Sequence, residues 1–151
     1  MMLARTSKSN AMDGEVTYAL LDALRSLCQS GDVRAMVLTG DGKAFSAGGD
    51  IQTIRDMGAD KGVRDSILDA HQELFWTMNR LPFASVAAVN GAAVGAGVTV
   101  ALLCDLVVMA QDAFLSDPRV GPRRSRVLAA QPSSGRRPRR TASGNRCGQS
   151  R

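Results

Sequence analysis

Two glycine-rich segments, Phe45-Ser46-Ala47-Gly48-Gly49-Asp50 and Asn90-Gly91-Ala92-Ala93-Val94-Gly95-Ala96-Gly97, each fall where a strand pattern gives way to a helix pattern. Helix N-termini leave backbone N–H groups without intrahelical acceptors and carry about half a positive charge from aligned peptide dipoles. Such donors suit an oxygen that becomes negative during a reaction, so the pair reads as an oxyanion hole. Glycine lets a ligand approach the backbone closely. Either segment alone reads equally well as a simple turn, and it is their joint presence that favours a site. His71 is the only histidine. It lies on an apolar helix face, where a packed residue is the plainer reading than a base or ligand. Cys28, Cys104 and Cys147 lack metal-ligand spacing and form no even set. No metal site is read, and a reducing, cytoplasmic setting is expected.

The elements that would position these segments follow from hydrophobic spacing. Val16, Ala19, Leu20, Ala23, Leu24 and Leu27 recur at helical intervals after Asp13, predicting an amphipathic helix over about 12–29 that Gly31 ends. Val33 to Thr39 is an apolar run of strand length stopped by Gly40-Asp41-Gly42. A short helix is expected after Asp50, with Asp50 as its N-cap and Gly58 closing it. Val63, Ile67, Leu68, His71, Leu74, Phe75 and Met78 trace one face of a longer helix ending before Pro82. Ser85–Val89 and Asp105–Ala110 read as buried strands and Gly95–Leu103 as a helix of small residues. Continuous apolar strands alternating with helices predict parallel pairing and an α/β layer fold. No secretory signal or bilayer-length apolar run is read: Phe83–Ala110 is interrupted by Asn90, several glycines and Asp105.

Composition breaks near Gly121. Residues 1–121 hold all 14 acids against 10 bases, a net charge of −4, whereas residues 122–151 hold 9 arginines and no acid. The overall charge of +5 therefore describes neither part and is no nucleic-acid signal in itself. The division expected is a folded domain over 1–121 and a disordered basic tail over 122–151, which lacks the apolar content to offset ordering its backbone. The tail reads either as a basic arm for nucleic acid or as the out-of-frame product of a GC-rich gene. The absence of interleaved aromatic residues favours the second.

Residues 5–121 resemble the enoyl-CoA hydratase/isomerase, or crotonase, family. The resemblance rests on ordered islands: Arg5 with Lys8-Ser9-Asn10-Ala11-Met12, Asp32 to Gly40, Lys43 to Ile51, and Val86 to Gly97 followed by Cys104-Asp105-Leu106. It implies the crotonase-like (ClpP/crotonase) ββα superhelix, here incomplete, and a thioester carbonyl held by the backbone N–H groups of Gly49 and Ala96. It further implies acyl-CoA contacts around Ala47, Gly48, Asp50, Gly95 and Thr99, with Lys8 meeting a CoA phosphate. Coenzyme A enters as part of the substrate, with no separate cofactor. The family's trimers and hexamers are built on C-terminal helices that have no counterpart here, so a homo-oligomer is a weaker implication.

Two departures count against ordinary hydratase chemistry. Thr99 and Arg119 stand where the family's hydratases carry glutamates. Other branches carry an acid in a glycine-rich stretch beyond Gly121, which the tail replaces. Asp117 is the nearest carboxylate and reads first as a turn residue before Pro118. The leading expectation is a truncated family member whose inherited hydration or isomerisation of enoyl-CoA is impaired. The alternatives are a non-catalytic subunit that binds CoA esters or joins homologues, and, third, a nucleic-acid-binding protein acting through the tail.

Overall fold

The computed structural model describes residues 1–118. Arg119 and the stretch read as a basic tail lie outside the described residues.

The chain winds as a ββα superhelix. After β1 (Met2–Leu3), a single 3-10 turn (Thr6–Lys8) and α1 (Gly14–Ser30) come β2 (Ala35–Gly40), β3 (Ala44–Ser46), α2 (Ile51–Ala59) and α3 (Lys61–Asn79). They are followed by β4 (Ala84–Val89), β5 (Ala92–Val94), α4 (Ala96–Leu103), β6 (Leu106–Met109) and β7 (Phe114–Ser116). After β1, each turn of the superhelix lays one strand into each of two sheets. The larger has the order β1-β2-β4-β6 and the smaller β3-β5-β7. Every pairing is parallel, as the apolar strands predicted.

Local chemistry sets the helix ends. The Asp13 carboxylate accepts from the Val16 amide at 2.9 Å to start α1, and Gly31 ends it with φ of 71°. Asp50 starts α2 as predicted, accepting from the amides of Gln52 and Thr53 at 2.9 and 3.3 Å. Gly58 does not close that helix. It lies inside α2, which runs on to Ala59, because Asp60 both ends α2 and caps α3 through the Gly62 and Val63 amides. The packed face of α3 also differs from the predicted one: Ile67, Ala70, Leu74 and Met78 are buried, whereas Leu68 and Phe75 are exposed. Ala70 completes the inward row, and the exposed aromatics pack along the helix surface, with Phe75 edge-on to Trp76 and Arg80 over the Trp76 ring.

One hydrophobic core joins the two sheets to the helices. Leu20, Leu21 and Leu24 of α1 and Leu74 and Met78 of α3 pack with Met36 and Leu38 of β2, Phe45 of β3 and Val100 of α4. Along β2 the side chains alternate, so Met36 and Leu38 are buried while Val37 stands 52% exposed on the other face beside Leu106 and Val108 of the same sheet. Parallel sheets are ordinarily covered on both faces. Among the described residues this outer face is uncovered. No helix among them is long and apolar enough to cross a membrane.

Candidate functional site

The small sheet brings the two glycine segments together. In β3 and β5, Ala44 pairs with Ala92 and Ser46 with Ala93, so the chain leaves both parallel strands at the same end of the sheet. Gly48 has φ of 91°, and a Cβ built on it would lie 2.6 Å from the Val94 carbonyl oxygen and 3.7 Å from the Ala96 amide nitrogen. Only glycine fits there, on both conformational and steric grounds. Gly97 is held as closely: a Cβ at that position would lie 2.7 Å from the Ser46 Cβ. The N-terminus of α4 is thereby seated on the end of β3.

The direction of the donors follows from peptide geometry. No cis peptide occurs among the described residues, so the C=O and N–H of each of their peptide units point opposite ways. The Gly48 carbonyl accepts from the Met12 amide at 2.7 Å, and the Asp50 amide donates to the Met12 carbonyl at 3.0 Å. The Gly49 N–H consequently faces away from Met12. Across the site, the Gly95 carbonyl accepts from the Thr99 amide at 3.1 Å inside α4, which turns the Ala96 N–H out of the helix start. Neither the Gly49 nor the Ala96 amide has an acceptor among the described residues. The Ala96 amide is an orphan donor of the first helical turn. Gly49, by contrast, precedes the N-cap Asp50, so its freedom comes from the bridge to Met12 rather than from a helix end.

The other predicted residues divide. Ala47 is exposed within the first segment, and Gly95, in the second, caps α4 and donates to the Ser116 carbonyl at 2.9 Å. Lys8 donates to the Asp50 carboxylate at 2.7 Å, and Arg5 pairs with Asp13 at 2.5 Å while standing 3.8 Å from Asp50. The Lys8 hydrogen bond holds Asp50 below the usual carboxylate range, against the opposing effect of burial, with the Thr53 and Gln52 amides adding to it. Asp50 is therefore an anchor for the α2 start, and Lys8 has a protein partner. Thr99 is exposed on α4, its hydroxyl directed at the Gly95 carbonyl at 3.4 Å. His71 is half-buried on α3 and burial lowers its pKa. No group of three or more metal-ligating side chains converges among the described residues.

Two supporting residues carried no signal of their own in the sequence. Asn10 is buried with φ of 57°; its side-chain amide donates to the carbonyls of Asp41 and Ala44 at 2.8 and 2.9 Å, and its side-chain oxygen accepts from the Arg5 amide. Ser46, fully buried, donates to the Asn10 carbonyl at 2.8 Å and accepts from the Gly48 amide at 3.2 Å. The one available hint was Ser46 as a polar residue between Phe45 and Ala47.

A ββα superhelix that feeds two parallel sheets is the crotonase class of fold. The chain belongs to the enoyl-CoA hydratase/isomerase family, whose model matches residues 1–121. A relative from Thermus thermophilus, provisionally named an enoyl-CoA hydratase, is 43% identical over 72% of this chain and 43% of its own length. The human mitochondrial Delta(3,5)-Delta(2,4)-dienoyl-CoA isomerase is 35% identical over 76% of this chain and 38% of its own. Among solved structures, an enoyl-CoA hydratase/isomerase from Mycobacterium paratuberculosis superposes with a TM-score of 0.73 at 35% identity, covering 79% of this chain and 49% of that one. The chain thus spans less than half the length of these relatives.

Proposed function

We propose that this chain binds acyl-CoA thioesters, with the thioester carbonyl oxygen between the backbone amides of Gly49 and Ala96. The supporting observation is that both amides lack acceptors among the described residues and lie on segments leaving paired strands of the small sheet, where a Cβ built on Gly48 would lie 3.7 Å from the Ala96 amide nitrogen. When a proton leaves or joins the carbon next to the thioester, negative charge collects on the carbonyl oxygen. Fixed N–H dipoles stabilise it without moving a proton, at about 3 kcal/mol per donor in comparable sites. The inherited reaction on this reading is hydration or isomerisation of an enoyl-CoA, and coenzyme A is the substrate's handle rather than a separate cofactor.

A second reading, a non-catalytic CoA-ester-binding or assembly subunit, is favoured by one observation. Thr99, exposed at the mouth of α4, offers a hydroxyl turned to its own helix where a proton-relaying carboxylate would be needed. General acid–base help contributes about 10²–10⁴-fold to rate, whereas the paired amides act without it. Binding can therefore outlast turnover.

Calorimetric titration of butyryl-CoA and of coenzyme A separates a carbonyl site from simple CoA affinity. Ala96 is the first residue of α4, where proline is compatible with a helix and removes only an orphan donor. Ala96→Pro is expected to weaken butyryl-CoA by about tenfold or more and leave coenzyme A unchanged, and Gly49→Pro to act likewise. Equal losses for both ligands would make the segments structural turns and overturn the assignment.

A further inference from the structure

We propose that Ser46 is the positioning residue that registers the two half-sites against each other, its hydroxyl aiming the Gly49 donor while its backbone and Cβ seat the helix that carries Ala96. The inference rests on the carbonyl-site reading above. The Ser46 side chain is fully buried and has a fixed orientation, because its hydroxyl donates to the Asn10 carbonyl at 2.8 Å and so presents its lone pairs to the Gly48 amide at 3.2 Å. That amide is on the residue whose own carbonyl is pinned by Met12 at 2.7 Å. Gly48 is thus held at both its N–H and its C=O, and the peptide joining it to Gly49 has one orientation left. On its other side Ser46 touches Gly97, where even a methyl group would come within 2.7 Å of the Ser46 Cβ and 2.9 Å of its carbonyl oxygen. One small hydroxylated residue meets both demands: alanine would leave the buried Gly48 N–H without an acceptor, and a larger side chain would push α4 away. Ser46 touches no substrate atom. It acts through Gly48 on one donor and through Gly97 on the other.

A structural role alone would lower stability without altering discrimination between ligands, so the test reads both. Ser46→Ala is expected to weaken butyryl-CoA roughly tenfold while leaving coenzyme A within about twofold, the scale of one lost hydrogen bond. Ser85 supplies the control: it is equally buried and its hydroxyl pins β4 to Asp105 at 2.9 Å, away from both glycine segments. Ser85→Ala is expected to lower the melting temperature similarly with no change in the ratio of the two affinities. If wild type prefers butyryl-CoA and Ser46→Ala keeps that preference, the positioning role is overturned while the carbonyl site stands. If wild type binds butyryl-CoA no tighter than coenzyme A, the carbonyl site falls and this inference with it. Amide hydrogen exchange in the unliganded wild-type chain tests the same claim without a variant. The Gly48 amide should be protected and the Gly49 and Ala96 amides should exchange rapidly; a Gly48 amide as fast as Gly49 would overturn the proposal.

Discussion

At the scale of single residues, the ion pairs beside the first half-site do structural work. Asp50 accepts hydrogen bonds from two backbone amides and from Lys8, and its depressed pKa is first the work of Lys8. A carboxylate with a lower pKa folded than unfolded contributes stability that is present above its ordinary value, near 4, and lost as pH falls through the folded value. Lys8→Met should therefore lower stability at neutral pH and flatten its loss in acid, the two chains converging once Asp50 is protonated in both. Melting temperature measured between pH 2 and 7 checks this, and identical acid limbs would mean that the two backbone amides alone set the Asp50 pKa. Cys104 makes a second residue-scale case. Burial pushes its thiol up to about 11, so it stays protonated at neutral pH and should resist alkylation by iodoacetamide at pH 8 until the chain is unfolded.

At the scale of elements, the two helices that follow the glycine segments tolerate change very differently. α2 buries none of its residues, and a Cβ on Gly58 would meet nothing within 4 Å. Gly58→Ala should accordingly stabilise the chain by about 0.5–1 kcal/mol, since it removes the backbone entropy cost of a glycine inside a helix. α4 is packed on β3 through Gly97, and there the same substitution overfills the contact with Ser46. Gly97→Ala should cost about 1–3 kcal/mol. Denaturant titration of both variants reads the contrast directly. Opposite outcomes would mean that α4 does not sit on Ser46 in solution. In the core, Leu24 of α1 is fully buried among strand residues, and Leu24→Ala should cost about 2–5 kcal/mol.

At the level of the whole molecule, the proposed function separates binding from turnover. The hydration chemistry of the family needs proton transfer, and Thr99 cannot act as an acid or base at neutral pH. This chain is expected to hydrate crotonyl-CoA at a rate at least 10²-fold below a full-length hydratase assayed beside it. Thr99→Glu alone should restore little, because one carboxylate does not replace two and the chain spans less than half the length of its relatives. Turnover within tenfold of the full-length enzyme would sink this prediction. The outer face of the large sheet belongs to the same scale. Val37, Leu106 and Val108 stand exposed on it, so Val108→Thr should leave stability within about 0.5 kcal/mol.

The helices, the longer strands and their parallel pairing were legible in the sequence by itself because each rests on spacing repeated over several residues, whereas the two glycine segments were legible by composition. Asp13, Gly31 and Asp50 were legible as helix ends because capping is a local interaction between a side chain and amides two or three residues away. The shortest strands were not legible: β1 has two residues and β3, β5 and β7 three each, below the length at which alternation carries information. Gly58 misled because the stop lay two residues on, in a shared cap at Asp60. Only the tertiary structure decided which way the donors face. The Gly49 amide is free because Met12, far back in the chain, occupies the opposite side of its peptide plane, and Ser46 joins the half-sites through contacts with Asn10, Gly48 and Gly97. The contacts with Met12, Asn10 and Gly97 join residues distant in sequence and leave no periodic trace, so only the fold brings the two glycine segments together.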